Sequence, residues 1–80
     1  MQSFLERRNG ALDTSEPGVR HIQELIRNRT PVAIQVLDSE REFEGVIRWQ
    51  DSAFLALAQA EDRPLTLINR EAATVIRALV

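Results

Sequence analysis

The sequence predicts a small domain in which one N-terminal helix leads into β structure, and three observations carry that prediction. Val19, Ile22, Leu25 and Ile26 form a single apolar stripe at helical spacing. Residues 31–37 (PVAIQVL) alternate, with Val32, Ile34 and Val36 on one side and Ala33 and Gln35 on the other. Residues 41–49 (REFEGVIRW) alternate again, Phe43, Gly45, Ile47 and Trp49 against Glu42, Glu44, Val46 and Arg48.

Residues 1–15 show no sustained period. Asn9-Gly10 is a turn signal and Asp13-Thr14-Ser15 is loop chemistry, so this stretch reads as a flexible tail in which Phe4 and Leu5 are the apolar residues able to dock. Thr14, Ser15, Glu16 and Pro17 form a helix start: capping hydroxyls, an acid for the dipole, and a proline tolerated in the first turn. Glu16 and Arg20 are spaced i,i+4 in the favourable order. Thr30-Pro31 stops the helix, because a residue before proline is pushed out of the α region. A helix this short is unstable alone and must lie on something. The two alternating runs that follow make a hairpin turned at Asp38-Ser39. Gly45 inside the second strand predicts a sharp bend or bulge. Gln50-Asp51-Ser52 is the next turn. Beyond it, propensity leaves two readings open. Residues 53–60 and 69–80 are rich in helix formers, with Asp51, Ser52 or Asn69 as caps, yet both also alternate as strands, with Pro64 opening a further strand over residues 65–68.

Composition narrows the function. A chain of 80 residues buries only roughly 60% of its unfolded surface, so a lone monomer is marginal and oligomerisation would help. With no cysteine there is no disulfide framework and no thiolate metal site. His21 is the one histidine and reads as an ordinary helix residue. No paired catalytic carboxylates and no glycine-rich phosphate loop can be placed. We therefore expect no enzyme, no metal and no cofactor. The net charge is −2, so any nucleic-acid site must be a local patch rather than a global basic footprint. All 10 basic residues are arginine; biased genome composition explains that, as does a use for the planar guanidinium fork. Residues 1–11 carry Glu6, Arg7 and Arg8 and do not resemble a secretion signal. The longest apolar stretch, residues 53–60, is far too short to insert in a membrane. A cytoplasmic setting is the expectation.

Helix, Pro-Val strand, bent hairpin with a mid-strand glycine, and an aspartate at the next turn: this order resembles the Sm-like domain, and within it the bacterial Hfq family. The matching residues are 29–34 (RTPVAI), 44–47 (EGVI) and 48–51 (RWQD). The stretch from Gly45 to Asp51, and Pro17-Gly18-Val19-Arg20 at the helix start, look like the cyanobacterial branch. The resemblance implies a helix on a strongly bent five-stranded antiparallel barrel (SH3-like) over residues 16–80. The helix would cover about residues 17–28, and the strands about 31–37, 41–49, 53–59, 65–69 and 72–78. It also implies a homohexameric ring in which the fourth strand of one subunit pairs with the fifth of the next, through Leu67, Ile68, Val75 and Ile76. Such closure would consume exposed edges and supply the missing burial.

The family's RNA-contacting positions carry over unevenly. At the proximal pore, a glutamine-phenylalanine pair becomes Ser52 and Ala53, with Phe54 on the other strand face. A tyrosine-lysine-histidine triplet there becomes Ile68, Asn69 and Arg70. Ser52 and Asn69 can still bond a base edge and Arg70 a phosphate, but losing an aromatic platform removes roughly 1–3 kcal/mol per base. On the distal face the stacking tyrosine is Gln35 and a glutamine is Glu44, beside Glu42 and with Glu40 possible in the same row; Thr74 matches. The turn at residues 38–41 has one residue more than usual and lacks the usual glycine. At the rim, Arg27 and Arg29 match an arginine patch, Ile26 replaces a third arginine, and Arg20 can extend the surface. Trp49 matches a residue of the cyanobacterial branch and reads as structural, with a base-stacking role as the second reading. Two functions follow: a ring that binds RNA, weakly or atypically, and regulates messages post-transcriptionally; or a ring whose main work is to dock a protein partner against the acidic distal row.

Overall fold

The computed structural model describes residues 12–80; residues 1–11, including Phe4, Leu5 and Asn9-Gly10, lie outside them. Helix α1 (Pro17–Arg27) is followed by β1 (Pro31–Val36), β2 (Glu42–Gln50), β3 (Phe54–Ala58), β4 (Thr66–Asn69) and, after one 3₁₀ turn at Arg70–Ala72, β5 (Ala73–Ala78). The strands make one antiparallel sheet in the order β4-β3-β2-β1-β5. This is a helix followed by five antiparallel strands, consistent with the Sm fold. The Ala-rich segment is a strand despite its helix formers: Leu55 and Leu57 reach the core while Ala56 lies flat between two neighbouring strands. Tertiary burial overrides local propensity here.

The core is small. Val32, Ile34, Ile47, Leu55, Leu57 and Ile68 meet Leu25 of the helix, with Ile22, Ile26, Val36, Phe43, Ala73 and Ile76 packed around them. Each fully buried aliphatic side chain contributes about 1.5–3 kcal/mol. The alternation in residues 31–37 places Val32 and Ile34 inward, and α1 covers them with the stripe read from the sequence.

The start of the helix differs from expectation, while its end before Thr30-Pro31 agrees with it. Thr14 and Ser15 do not cap α1; Glu16 occupies the N-cap position and makes no side-chain cap bond. The Asp13 carboxylate competes for Ser15, accepting from its hydroxyl at 2.6 Å and its amide at 2.9 Å. Those two bonds, the hydroxyl first, hold the Asp13 carboxyl below its ordinary value. At the other end Arg29 takes a left-handed conformation (φ 53°). Its N–H donates to the Ile26 carbonyl (3.2 Å), and the Thr30 N–H donates to the Leu25 carbonyl (3.0 Å). That pair of bonds is a Schellman ending, which glycine would fill at least cost. We expect Arg29→Gly to raise the melting temperature by several degrees, worth up to about 1 kcal/mol. Thermal unfolding by circular dichroism checks it; a lower midpoint would contradict it.

Asp38 (φ 60°) supplies the other left-handed residue, so aspartate does at the β1–β2 turn what glycine would otherwise do. Two register shifts bend the sheet, one at Gln35/Val36 against β5 and one between Ile47 and Trp49 against β3. The second corrects the sequence reading of Trp49. Ile47 stands opposite Leu57 and points inward, but Trp49 stands opposite Ala56. Three residues of β2 therefore span two of β3. Trp49 turns to the outer face, where it is 40% exposed, and Gln50 turns towards the helix. Among the described residues no helix is long and apolar enough to cross a membrane.

Candidate nucleic-acid interface

The turns after β2 and after β4 come together at one end of the sheet. Asp51 Oδ1 accepts from the amides of Ala53 (2.9 Å) and Phe54 (2.7 Å), which sets the turn and leaves Ser52 exposed at its tip. Asn69 is opposite Phe54, and its Oδ1 accepts from the Glu71 amide (2.9 Å), starting the 3₁₀ turn. The Arg70 N–H donates to the Ala53 carbonyl (2.8 Å). Ser52, Asn69 and Arg70 are thus neighbours, as their grouping requires. Arg70 is already employed, however. Its Nη1 donates to Gln50 Oε1 (3.0 Å) and the Asp51 carbonyl (3.3 Å). Gln50 Nε2 in turn donates to the Val19 carbonyl (3.2 Å) and Gln23 Oε1 (3.0 Å) on α1.

Gln50 is a residue whose role the sequence did not disclose, although it sits in the RWQD stretch. It links the helix, the β2–β3 turn and the arginine. We expect Gln50→Ala to cost about 1–2 kcal/mol and to free Arg70. A melting midpoint within 1–2 °C of the parent would show that the link adds nothing to stability, since about 1 kcal/mol moves a domain of this size by roughly 4–8 °C.

At the opposite face, β1 lies between β2 and β5. Gln35 pairs with Glu42 on one side and Val75 on the other; Ala33 pairs with Glu44 and Arg77. Gln35, Glu42 and Glu44 therefore share the outer face. The row is not purely acidic. Arg77 Nη2 reaches diagonally across β1 to both Glu42 oxygens (2.9 and 3.1 Å). This exposed pair is worth at most about 1 kcal/mol, but it halves the local negative charge. Thr74 Oγ1 donates to the Gln35 carbonyl (3.1 Å), beside the register shift there. Glu40 lies in the preceding turn, outside the strand.

The two rim arginines do not share a groove. Arg27 is exposed in the last turn of α1 and lines a shallow depression with Arg20, in which Glu24 stands between them. Arg29, just beyond the helix, lines a separate cleft together with Arg48. His21 is exposed on α1. Of the proposed subunit contacts, Leu67 on β4 is 51% exposed and Val75 on β5 is 44% exposed, while Ile68 is buried and Ile76 packs partly into the chain's own core. β4 and β5 are the two outer strands of the sheet. Among the described residues no group of histidine, aspartate or glutamate side chains is placed to hold a metal ion.

A search of curated proteins finds no match. The family model described as Hfq related matches residues 16–78, which takes in α1 and all five strands. That family consists of non-enzymatic RNA chaperones, and membership implies an Hfq-like RNA-binding role. On that match across almost the whole described fold, the chain belongs to the Hfq-related family.

Proposed function

We propose that this protein is a homohexameric ring of the cyanobacterial Hfq type that binds RNA in the cytoplasm and acts in post-transcriptional regulation. The observation that carries the assembly is that β4 and β5 are the two outer strands of the sheet among the described residues and bear exposed Leu67 and Val75. An antiparallel edge with apolar side chains invites pairing with another edge. Head-to-tail pairing of β4 with the next subunit's β5 closes into a ring when the rotation permits. Ile68 and Ile76 would add their backbone groups to that pairing, and their side chains would stay in their own core.

RNA binding is of an altered kind. Ala53 and Gln35 offer no stacking surface at the pore and distal positions. Electrostatic attraction from Arg27 and Arg29, repeated around a ring, supplies the main affinity, with Ser52, Asn69 and Arg70 at the pore. Gln35, Glu42, Glu44 and Thr74 mark the distal face. A ring holding two RNA strands raises their effective concentration without bond chemistry. Replacing both Arg27 and Arg29 by alanine is expected to flatten the dependence of log affinity on log salt by about 0.7 for each phosphate that is no longer neutralised. Binding of a labelled oligonucleotide measured across a salt series reads this directly. An unchanged slope would remove the rim from the account. The alternative, a scaffold docking a protein on the distal face, is weakened by Arg77, which leaves that face mixed in charge rather than acidic. It predicts instead that reversing Glu42 and Glu44 abolishes a partner in pull-downs while the ring survives.

A further inference from the structure

The outer face of β2 and β3 holds an aromatic surface and a cleft side by side. Pro31, Val46 and Ala58 are in register across three strands and form the floor of a cleft of about 350 Å³. Arg29 and Arg48 line it, and Glu61 lines it from the β3–β4 loop. One step along β3, Ala56 lies opposite Trp49 on the same face, two residues or about 6.7 Å from Ala58. Trp49 is there only because of the extra residue in β2. Phe43 and Phe54 are partly buried, so Trp49 is the exposed aromatic of the described residues. Arg29 is held beside the cleft by a left-handed backbone that glycine would tolerate better, so an arginine stands there at a cost in stability.

We infer that this face is a single-stranded RNA platform, in which one base stacks on Trp49 and the adjoining nucleotide enters the cleft, its phosphate between Arg29 and Arg48. The inference rests on the RNA-binding reading above and relocates the stacking surface that Ala53 and Gln35 no longer provide. A stacked aromatic with a neighbouring guanidinium is the usual equipment for holding an unpaired strand, because every base has a π face and every nucleotide a phosphate. The cleft has the size of a small-ligand site, about 300 Å³ or more, and an apolar floor suited to a base. Glu61 repels phosphate but accepts from base N–H groups, so it orients the nucleotide with its base towards the β3–β4 loop and its phosphate towards the arginines.

The chain has one tryptophan, which makes the test direct. The full chain is titrated with a fluorescein-labelled single-stranded dodecamer of adenosine or uridine at low and physiological salt. Anisotropy reports binding and tryptophan emission, read with unlabelled oligonucleotide, reports stacking. We expect emission to be quenched along the anisotropy isotherm. Trp49→Phe should stay within a few-fold of the parent, and Trp49→Ala should weaken binding about tenfold. Arg48→Ala should lower the salt slope by about 0.7. Binding by anisotropy with unchanged emission, or with Trp49→Ala equal to the parent, overturns this platform and leaves the RNA role standing. No binding by the parent protein overturns the RNA role itself, and this inference with it.

Discussion

Replacing Gly45 by alanine is expected to remove a large share of the domain's stability. A Cβ at Gly45 would lie 2.9 Å from the carbonyl carbon of Ala58 and 3.2 Å from Cα of Gln59, and closer still to the Ala58 oxygen. All three atoms are backbone, so no side chain can swing aside. The methyl group would have to push β3 off β2. Overpacking of this kind costs about 3 kcal/mol or more when the neighbours cannot relax. A domain of this size has only about 4–12 kcal/mol in hand. The expected loss in melting temperature is roughly 12 °C at least, taking about 4–8 °C per kcal/mol. The control is Gly18→Ala on the helix, where nothing lies within 4 Å and the change should be neutral or mildly stabilising. A Gly45→Ala protein melting within 3 °C of the parent would mean that the strands do not approach as closely as described.

The second large effect concerns assembly. Leu67→Glu and Val75→Glu both place a carboxylate on an outer strand, at side chains 51% and 44% exposed in the isolated chain. Neither should cost the subunit much, since little apolar surface leaves the core. In a ring the two carboxylates would meet at every subunit junction. The expectation for the double variant is a folded monomer with RNA affinity reduced about 100-fold or more, because binding sites repeated around the ring act together only while it is closed. Native mass spectrometry separates the possibilities. Double-variant protein that still assembles would move the subunit junction away from β4 and β5.

The first half of the fold was legible because period and punctuation agree there. Val19 to Ile26 bury one stripe and Val32 and Ile34 point inward as the alternation says, but the bulge expected at Gly45 lies two residues on, between Ile47 and Trp49. The second half was not, because Ala56, Ala58 and Ala73 favour helix in isolation and become strand only through their neighbours. The resemblance to a known family, not propensity, pointed to strands. Trp49 was misplaced for a related reason: alternation assumes an unbroken ladder, and the extra residue at Arg48 reverses it. The nearness of Ser52, Asn69 and Arg70 followed from the resemblance. The coupling of Arg70 to Gln50, and of Arg77 to Glu42, joins residues 20 and 35 apart in sequence, and no local pattern carries such pairs.

Sedimentation velocity of the purified protein with fluorescent oligo-A and oligo-U, at low and physiological salt, tests the ring and its RNA in one experiment. The expected result is a hexamer that carries at least one of the two oligonucleotides at physiological salt and releases it as salt rises. A hexamer that leaves both behind would contradict the RNA role and favour a protein-docking ring. A monomer would contradict the assembly on which the rest depends.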